Sequence, residues 1–412
     1  MSDPQPPSTE TRYTLEWVRH MNQVTPHEWN ALAKPLTTPF LEWEWLNNLE
    51  TSDSAVPSEG WLPTHLTVRR DDQLVAAAPL YLKGHSYGEF VFDQQWADLS
   101  YRLGVEYYPK MLGMAPFTPA EGYRFLIDSS EDENTMTEVM VSEIDRFCTK
   151  NRVSGCHFLF VDPQWQTVLE NSGFRAWRHH SYVWTNQNYE SFDDYLKRFN
   201  ANQRRNIKRE CKSMAKAGIR FEVLTGDQIP SSYFPIIHGF YASTCNKFWG
   251  GSKYLTAQFF KQLEADFSQR VVLFVAYAEG DSQPLGMSFC LWKDDRLYGR
   301  YWGCRYDVDN LHFNACYYEP IKWAIANGIK TFDPGAGGKH KRRRGFPAVA
   351  NHSLHRFYHS RLSMILNQYI GQVNELEQEE IEAINQDIPF SKTAPNLNDM
   401  MLDGSNLANQ ET

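Results

Sequence analysis

Four stretches of the chain concentrate residue types that can do chemistry. The densest is Thr331-Phe-Asp-Pro-Gly-Ala-Gly-Gly-Lys-His-Lys-Arg-Arg-Arg-Gly-Phe346, which joins a carboxylate, a glycine-rich loop, a histidine and five cations. Glycines let a backbone approach a ligand closely, and loop amides left unpaired cradle an anion. Lysine and arginine nearby suit phosphate or pyrophosphate. The loop follows a predicted strand, a usual place for ligand-binding loops. Gly335, Gly337, Gly338, Lys339, His340, Lys341 and Arg344 are therefore the candidate anion-holding residues, against the plain alternative of a solvated basic turn.

The second stretch runs Tyr298-Gly-Arg-Tyr-Trp-Gly-Cys304 and then Leu311-His-Phe-Asn-Ala-Cys-Tyr-Tyr-Glu-Pro-Ile-Lys-Trp323. A strand with an aromatic pair feeds a helix whose N-terminus carries His312. Helix N-termini favour anions and lower the pKa of a nearby histidine. His312, Cys316 and Glu319 stand at helical spacings of four and three, so one face is expected to carry all three. A neutral His312 there could take a proton from an attacking amine. Cys316 as a nucleophile would need an activating partner that the sequence does not supply. A capping role for His312, with the aromatics as core, is the alternative.

The third stretch is Leu82-Lys-Gly-His-Ser-Tyr-Gly-Glu-Phe-Val-Phe-Asp93, with Tyr107-Tyr-Pro-Lys110 and Pro116-Phe-Thr-Pro119 downstream. Glu89 and Asp93, four apart among aromatics, are placed to have raised pKa values through partial burial, with His85 beside them. Such a group suits an amine or a sugar. The fourth, Lys197 to Lys212, carries seven cations against one acid on a predicted helix. It reads as a phosphate-holding face or, more simply, a solvated helix packing Leu196, Phe199, Ile207 and Cys211 inward.

These groups need a scaffold. The chain has 412 residues, of which 42% are hydrophobic and 14% aromatic, enough for packed cores and for two or three domains. The net charge of -9 argues against a global nucleic-acid-binding face. The longest apolar run, Val271–Ala278, is far short of the roughly 20 residues that span a bilayer. Residues 1–11 read as a loose tail without signal-peptide character. Seven scattered cysteines without a CxxC point to a reducing, cytoplasmic setting. No histidine–carboxylate set has metal-ligand spacing, so no metal is expected. No GxGxxG or Walker motif appears, and no GxSxG nucleophile elbow.

Periodicity predicts helices over 26–50, 136–150, 165–171, 192–217, 232–268 and 312–327. It predicts strands over 65–82, 124–128, 156–161, 271–278, 284–292, 296–302 and 329–332. Gly155-Cys-His-Phe-Leu-Phe-Val-Asp-Pro163 and Gly328-Ile-Lys-Thr-Phe-Asp-Pro334 repeat one order: glycine stop, strand, Asp-Pro. With antiparallel strands and a helix before each, this reads as a degenerate duplication of an α+β unit.

The motifs His85-Ser-Tyr-Gly-Glu-Phe-Val-Phe-Asp93, Tyr107-Tyr-Pro-Lys110, Pro116-Phe-Thr-Pro119, Gly299-Arg-Tyr-Trp-Gly303, Leu311-His-Phe, Cys316-Tyr-Tyr and Pro334-Gly-Ala…His340-Lys…Arg344-Gly-Phe346 resemble the bacterial FemAB-like family of predicted N-acyltransferases. The resemblance covers about residues 15–365. It implies an α+β fold, a tandem of two GNAT-like acyltransferase domains with mixed, mostly antiparallel sheets flanked by helices. The expected division is a tail (1–11), an N-terminal domain (12–190), a basic connecting helix (191–220), a C-terminal domain (221–370) and an acidic, largely disordered tail (371–412), helix-prone over 371–387. The sequence departs from the family pattern at Asn314, Gly337 and Lys339, where glutamate, glutamine and glutamate are usual.

The resemblance implies acyl transfer from an acyl-CoA-type cosubstrate to an amine, with a cell-wall precursor as acceptor and no tightly bound cofactor. In this reading His312, Asp333 or Glu319 accepts the proton, and the 335–344 loop holds the donor. His85, Glu89, Asp93, Tyr108, Lys110, Arg300, Tyr301 and Trp302 line the acceptor side of a cleft between halves. Two alternatives stand beside it: a Fem-like transferase using aminoacyl-tRNA, motivated by the basic helix, and a non-catalytic binder of peptidoglycan fragments. No membrane span is expected, and the sequence does not set the oligomeric state.

Overall fold

The computed structural model describes residues 13–247 and 253–391. The expected tail at 1–11 and the last 21 residues lie outside them. Contacts divide the chain into two compact units, one formed by residues up to 177 with 352–370, the other by 178–351 with the residues from 371 onward. The class is the expected α+β, with mostly antiparallel sheets flanked by helices.

In the first unit, Tyr13–Val18, His65–Arg70, Gln73–Ala78 and Leu126–Ile127 form an antiparallel sheet. A second sheet runs Trp61–Pro63, Leu80–Lys83, Lys110–Gly113 and Gly155–Phe158, and residues 354–357 pair antiparallel with the last of these. The helix Glu133–Lys150, N-capped by Asp132, buries Met136, Met140 and Ile144 and leads into Gly155–Phe158. That strand lies parallel to Lys110–Gly113.

The second unit holds a six-stranded sheet in the order Trp184–Thr185, Thr331–Asp333, Arg296–Cys304, Gly286–Lys293, Val271–Ala278, Ile219–Thr225. Every pairing is antiparallel except one: Arg296–Cys304 and Thr331–Asp333 run parallel, with Tyr298 opposite Asp333. The helical segment from Leu311 to Ala326 connects these two strands. Each unit therefore has one parallel pair with a helix crossing over, and each places its Asp-Pro after the second strand of that pair. The duplicated order seen in the sequence recurs in space within each unit.

The boundaries differ from the expected ones. The basic helix does not connect the units but belongs to the second. Residues 352–370 fold with the first, because Leu354–Phe357 pairs with Gly155–Phe158 nearly 200 residues away in sequence, a pairing with no local signal. The predicted 192–217 helix is two: Phe192–Lys197, and Ala201–Lys216 restarted by Asn200, whose side chain accepts from the Gln203 amide at 3.0 Å. The acidic, helix-prone stretch 371–387 is helical through Gln386, as part of Ser360–Gln386. Ile381 and Ile384 are buried there, and the Asn385 amide pairs with both backbone groups of Ala348 at 2.8 and 2.9 Å.

Candidate active site

The second unit assembles one continuous polar cluster. Thr331–Asp333 stops after three residues, while Arg296–Cys304 continues, so the chain leaves the sheet at Pro334 beside Arg300. Arg300 donates to Asp333 Oδ2 at 3.0 Å and to the Gly299 carbonyl at 2.8 Å, and its side chain is only 3% exposed. Asp333 Oδ1 accepts from the Gly335 amide at 2.8 Å, which fixes the start of the loop. Gly335, Gly337 and Gly338 all have left-handed φ, a conformation that side-chain-bearing residues avoid. Gly338 then caps a short 3₁₀ turn, Lys339–Arg344.

Lys341 points back from that turn and is buried. Its Nζ donates to the Gly335 and Ala336 carbonyls at 2.6 and 3.2 Å. Burial lowers its pKa to about 8, partly opposed by the Asp333 carboxylate. His340 Nε2 meets the Tyr317 hydroxyl at 2.8 Å, and the His312 ring lies 6.0 Å from the His340 ring. His312 also packs against Trp302 and Tyr317, at 5.6 and 5.5 Å. Desolvation, reinforced by Arg344 and Lys341, drops both imidazoles to a pKa of about 4. Both are neutral at pH 7, as the helix-terminus argument expects of His312, although the cause is desolvation beside fixed cations, with His312 partly buried and His340 at an exposed turn.

The helix carrying His312 contains a π-turn at Asn314–Tyr318. Its wide turn separates residues that α-helical spacing would align. Seven positions in an α-helix return to the same face, whereas one inserted residue leaves Glu319 rotated by about 120° from His312. Glu319 accordingly pairs with Lys322 at 2.6 Å and lies beside Cys211 instead of joining the cluster. Cys316 is turned inward toward Ser288 and Cys290, and burial holds its thiol well above the ordinary range, so it is no nucleophile. Tyr301 faces the opposite side of its strand from Arg300 and Trp302. Its ring sits among Tyr241, Phe260 and Phe289 as core, not at the site. Lys339 is exposed, with Glu380 3.9 Å away.

The first unit builds a separate polar network. Lys83 and Lys110 are register partners across neighbouring strands, and both are buried. Like charges so placed repel. The following loop answers with carboxylates: Lys110 Nζ donates to Glu89 Oε2 at 2.7 Å, to Asp93 Oδ2, and to Ser86 Oγ at 2.8 Å. The Tyr107 hydroxyl donates to Asp93 at 2.6 Å, and the Tyr108 hydroxyl meets Ser86 at 2.8 Å. Desolvation raises Glu89 to about 7, as expected. Asp93, contrary to expectation, is lowered: burial acts to raise it, but Lys110 and Tyr107 outweigh that. His85 does not join the network. It lies against Gly60, where a Cβ would collide with its ring, and accepts from the Tyr87 amide at 3.2 Å. A cavity of about 460 Å³ is lined by Ala97, Tyr101 and the 104–108 segment, including Tyr107 and Tyr108.

Two participants escaped the sequence reading. Lys83, with its Nζ 3.6 Å from the Trp61 ring centre and its pKa lowered to about 7 by burial, ends an otherwise apolar strand. Glu210 is the single acid of the basic run; its carboxylate accepts from Arg344 at 3.1 Å and from the Tyr318 hydroxyl. Its signal was helical phase, since Gln203, Ile207, Glu210 and Met214 fall on one inward stripe.

Among the described residues no group of three or more His, Cys, Asp or Glu could hold a metal ion, and no helix is long and apolar enough to cross a membrane.

The chain is thus an α+β protein of two units with a polar, cation-lined cluster in the second. The chain belongs to the FemAB-like family, described as peptidoglycan biosynthesis/recognition, whose model matches residues 20–392. The structure is similar to that of FemX, with 11% identity, a TM-score of 0.51, and 83% of this chain and 98% of that one covered. It is also similar to L-PGS from Bacillus licheniformis, with 9% identity, a TM-score of 0.50, and 85% and 96% covered. A tandem GNAT protein from the clavulanic acid biosynthesis pathway is similar at 9% identity and a TM-score of 0.42, with 84% and 98% covered. No curated protein sequence matches significantly.

Proposed function

We propose that this protein is an N-acyltransferase of cell-wall synthesis, moving an activated acyl group, of aminoacyl type, onto an amine of a peptidoglycan precursor. One observation carries the reading: a glycine loop anchored on Asp333 presents backbone, buried cations and two neutral imidazoles to one place. Acyl transfer needs an oriented acyl group, a deprotonated amine and donors for the developing oxyanion. Arg300 and Lys341 are fixed donors of positive charge. Lys341, at about 8, is the group nearest neutrality and suits proton exchange with the amine. His312 and His340, at about 4, are weak bases and better hydrogen-bonding partners that orient the reactants. Asp333 orients Arg300 and the loop. Membership of a family described by peptidoglycan biosynthesis supports the acceptor class.

Two donors fit. An acyl-CoA would set its phosphates on the loop and the cations at 339–344. An aminoacyl-tRNA is favoured by a separate observation. Arg205, Arg209, Lys212 and Lys216 are all exposed and spaced 4, 3 and 4 apart, forming an outward basic stripe on the helix Ala201–Lys216. Thermal shift with CoA, acyl-CoAs and tRNA, each added alone, separates them. A ligand at about 100 times its dissociation constant stabilises by about 2.7 kcal/mol. A shift with acyl-CoA names that donor; a shift with tRNA that vanishes in high salt names the other. Silence from all of them, together with glycopeptide binding, replaces the transferase with a binder.

A further inference from the structure

The helix Ala201–Lys216 has two faces with different work. Outward it carries the basic stripe. Inward, about 200° round, Gln203, Ile207, Glu210 and Met214 face the core of the second unit. Two of these grip the strand of chain that closes the site loop. Gln203 Nε2 donates to the Arg343 carbonyl at 2.7 Å, and Glu210 accepts from Arg344 Nη2 at 3.1 Å. Glu210 also accepts from the Tyr318 hydroxyl, and its backbone carbonyl accepts from Asn314 Nδ2 at 3.1 Å. It thus holds both ends of the π-turn, Asn314 and Tyr318.

Arg344 is the hinge of this arrangement. Its side chain is 5% exposed, its guanidinium lies 3.4 Å from the centre of the Phe313 ring, and its Nη1 donates to the His340 carbonyl at 3.1 Å. A guanidinium so buried persists only with a counter-charge, and Glu210 supplies it. Phe313, His340 and His312 form a triangle of rings in mutual contact, with Phe313 and His340 5.6 and 6.0 Å from His312 and 5.8 Å from each other. One carboxylate therefore sets, through one guanidinium, the place of both imidazoles.

We propose that Glu210 is a positioning residue of the transferase site, clamping Arg344 so that the His340 loop and the His312 turn keep their mutual geometry. The kinetic arm of the test rests on the transferase reading; the clamp itself does not. In isotope-labelled protein the Arg344 Nη2–H signal, whose proton is bonded to Glu210 and which is identified by its loss in Arg344→Lys, reports the clamp. Glu210→Gln keeps the shape and removes the charge. It is expected to speed exchange of that proton about tenfold or more, to lower kcat about tenfold or more, and to leave KM within about twofold. Glu210→Asp, which keeps the charge, is expected to recover part of both. Unchanged Arg344 exchange in Glu210→Gln overturns the proposal whether or not transfer has been observed, and so does unchanged kcat once it has. Absence of transfer by the wild type, with Arg344 loosened in the variant, ends the transferase reading and leaves the clamp standing. If Glu210→Gln does not fold, Arg344→Lys keeps a charge but cannot bridge Glu210 and His340 at once. Normal kcat in that variant overturns the proposal as well.

Discussion

Replacing Lys110 by methionine tests the first unit's network with a built-in control. Wild-type Lys110 is 1% exposed and serves two buried carboxylates, one of which, Asp93, it holds below the ordinary aspartate pKa. Methionine fills the space and removes the charge. Asp93 then stands beside Glu89 with only Lys83 left as a nearby cation, in surroundings like those that already hold Glu89 at about 7. A rise above the unfolded aspartate value costs about 1.36 kcal/mol at pH 8 for every unit of the rise. The sign follows from linkage. A carboxyl whose folded pKa is raised destabilises only above its unfolded pKa, so at pH 5 about one unit is felt, or about 1.5 kcal/mol. Urea unfolding of wild type and variant at both pH values, read on the first transition to appear, measures the difference. A loss that is equal at pH 5 and pH 8, or below 1 kcal/mol at pH 8, refutes the claim that the lysine is there for the carboxylates.

Other consequences are simpler. His157 and His355 are buried and face each other through their Nδ1 atoms at 2.9 Å, and burial keeps His157 well below the ordinary range. The unfolded chain takes up protons that this histidine refuses, so stability should fall as pH drops below about 6.5, and His157→Phe should flatten that slope in pH-dependent melting. Cys316 and Cys304 are both partly exposed, but desolvation holds the Cys316 thiol the higher, so at pH 8 iodoacetamide should label Cys304 first, as peptide mass spectrometry can show; rapid labelling of Cys316 contradicts its placement. Gly345 has φ 71°, and a Cβ there would lie 2.8 Å from the Phe199 ring, so Gly345→Ala should cost about 1–3 kcal/mol in denaturant titration. Glu319→Gln should leave transfer within about twofold, because the π-turn has carried that carboxylate away from the cluster; a tenfold loss would return it to the site.

What the sequence made legible follows from the range of each interaction. The strand–helix–strand order of the second unit is legible because apolar runs, turn glycines and the Asp-Pro after each strand are local signals, whereas the parallel pairing of its two strands is not. The glycine loop with His340, Lys341 and Arg344 was visible because its composition is abnormal for a simple turn. The π-turn is not legible in helical periodicity: distant Glu210 binds both its ends, and Pro320 just after it has no N–H for an α-helical bond to Cys316, so a plain α-helical spacing aligns Glu319 with His312. Tyr301 was misplaced for a smaller reason: alternation along a strand says which neighbours share a face, but not which face is the site. The unit boundaries were misread where strand pairing jumps far along the chain, as at Leu354–Phe357. His85 and Asp93 show the same limit in electrostatics. Closeness in sequence suggested one acidic cluster, whereas Lys110, seventeen residues downstream of Asp93, decides its charge.

The central claim is that the Arg300–Asp333–Lys341 cluster transfers an acyl group to an amine. The direct measurement is mass spectrometry of a peptidoglycan-precursor peptide after incubation with the protein and, separately, an acyl-CoA mixture or aminoacyl-tRNA. The account predicts a mass increase equal to one acyl group with one of these donors, lost about a hundredfold or more in Lys341→Met while the fold is retained. No product with either donor, or equal product from Lys341→Met, contradicts it.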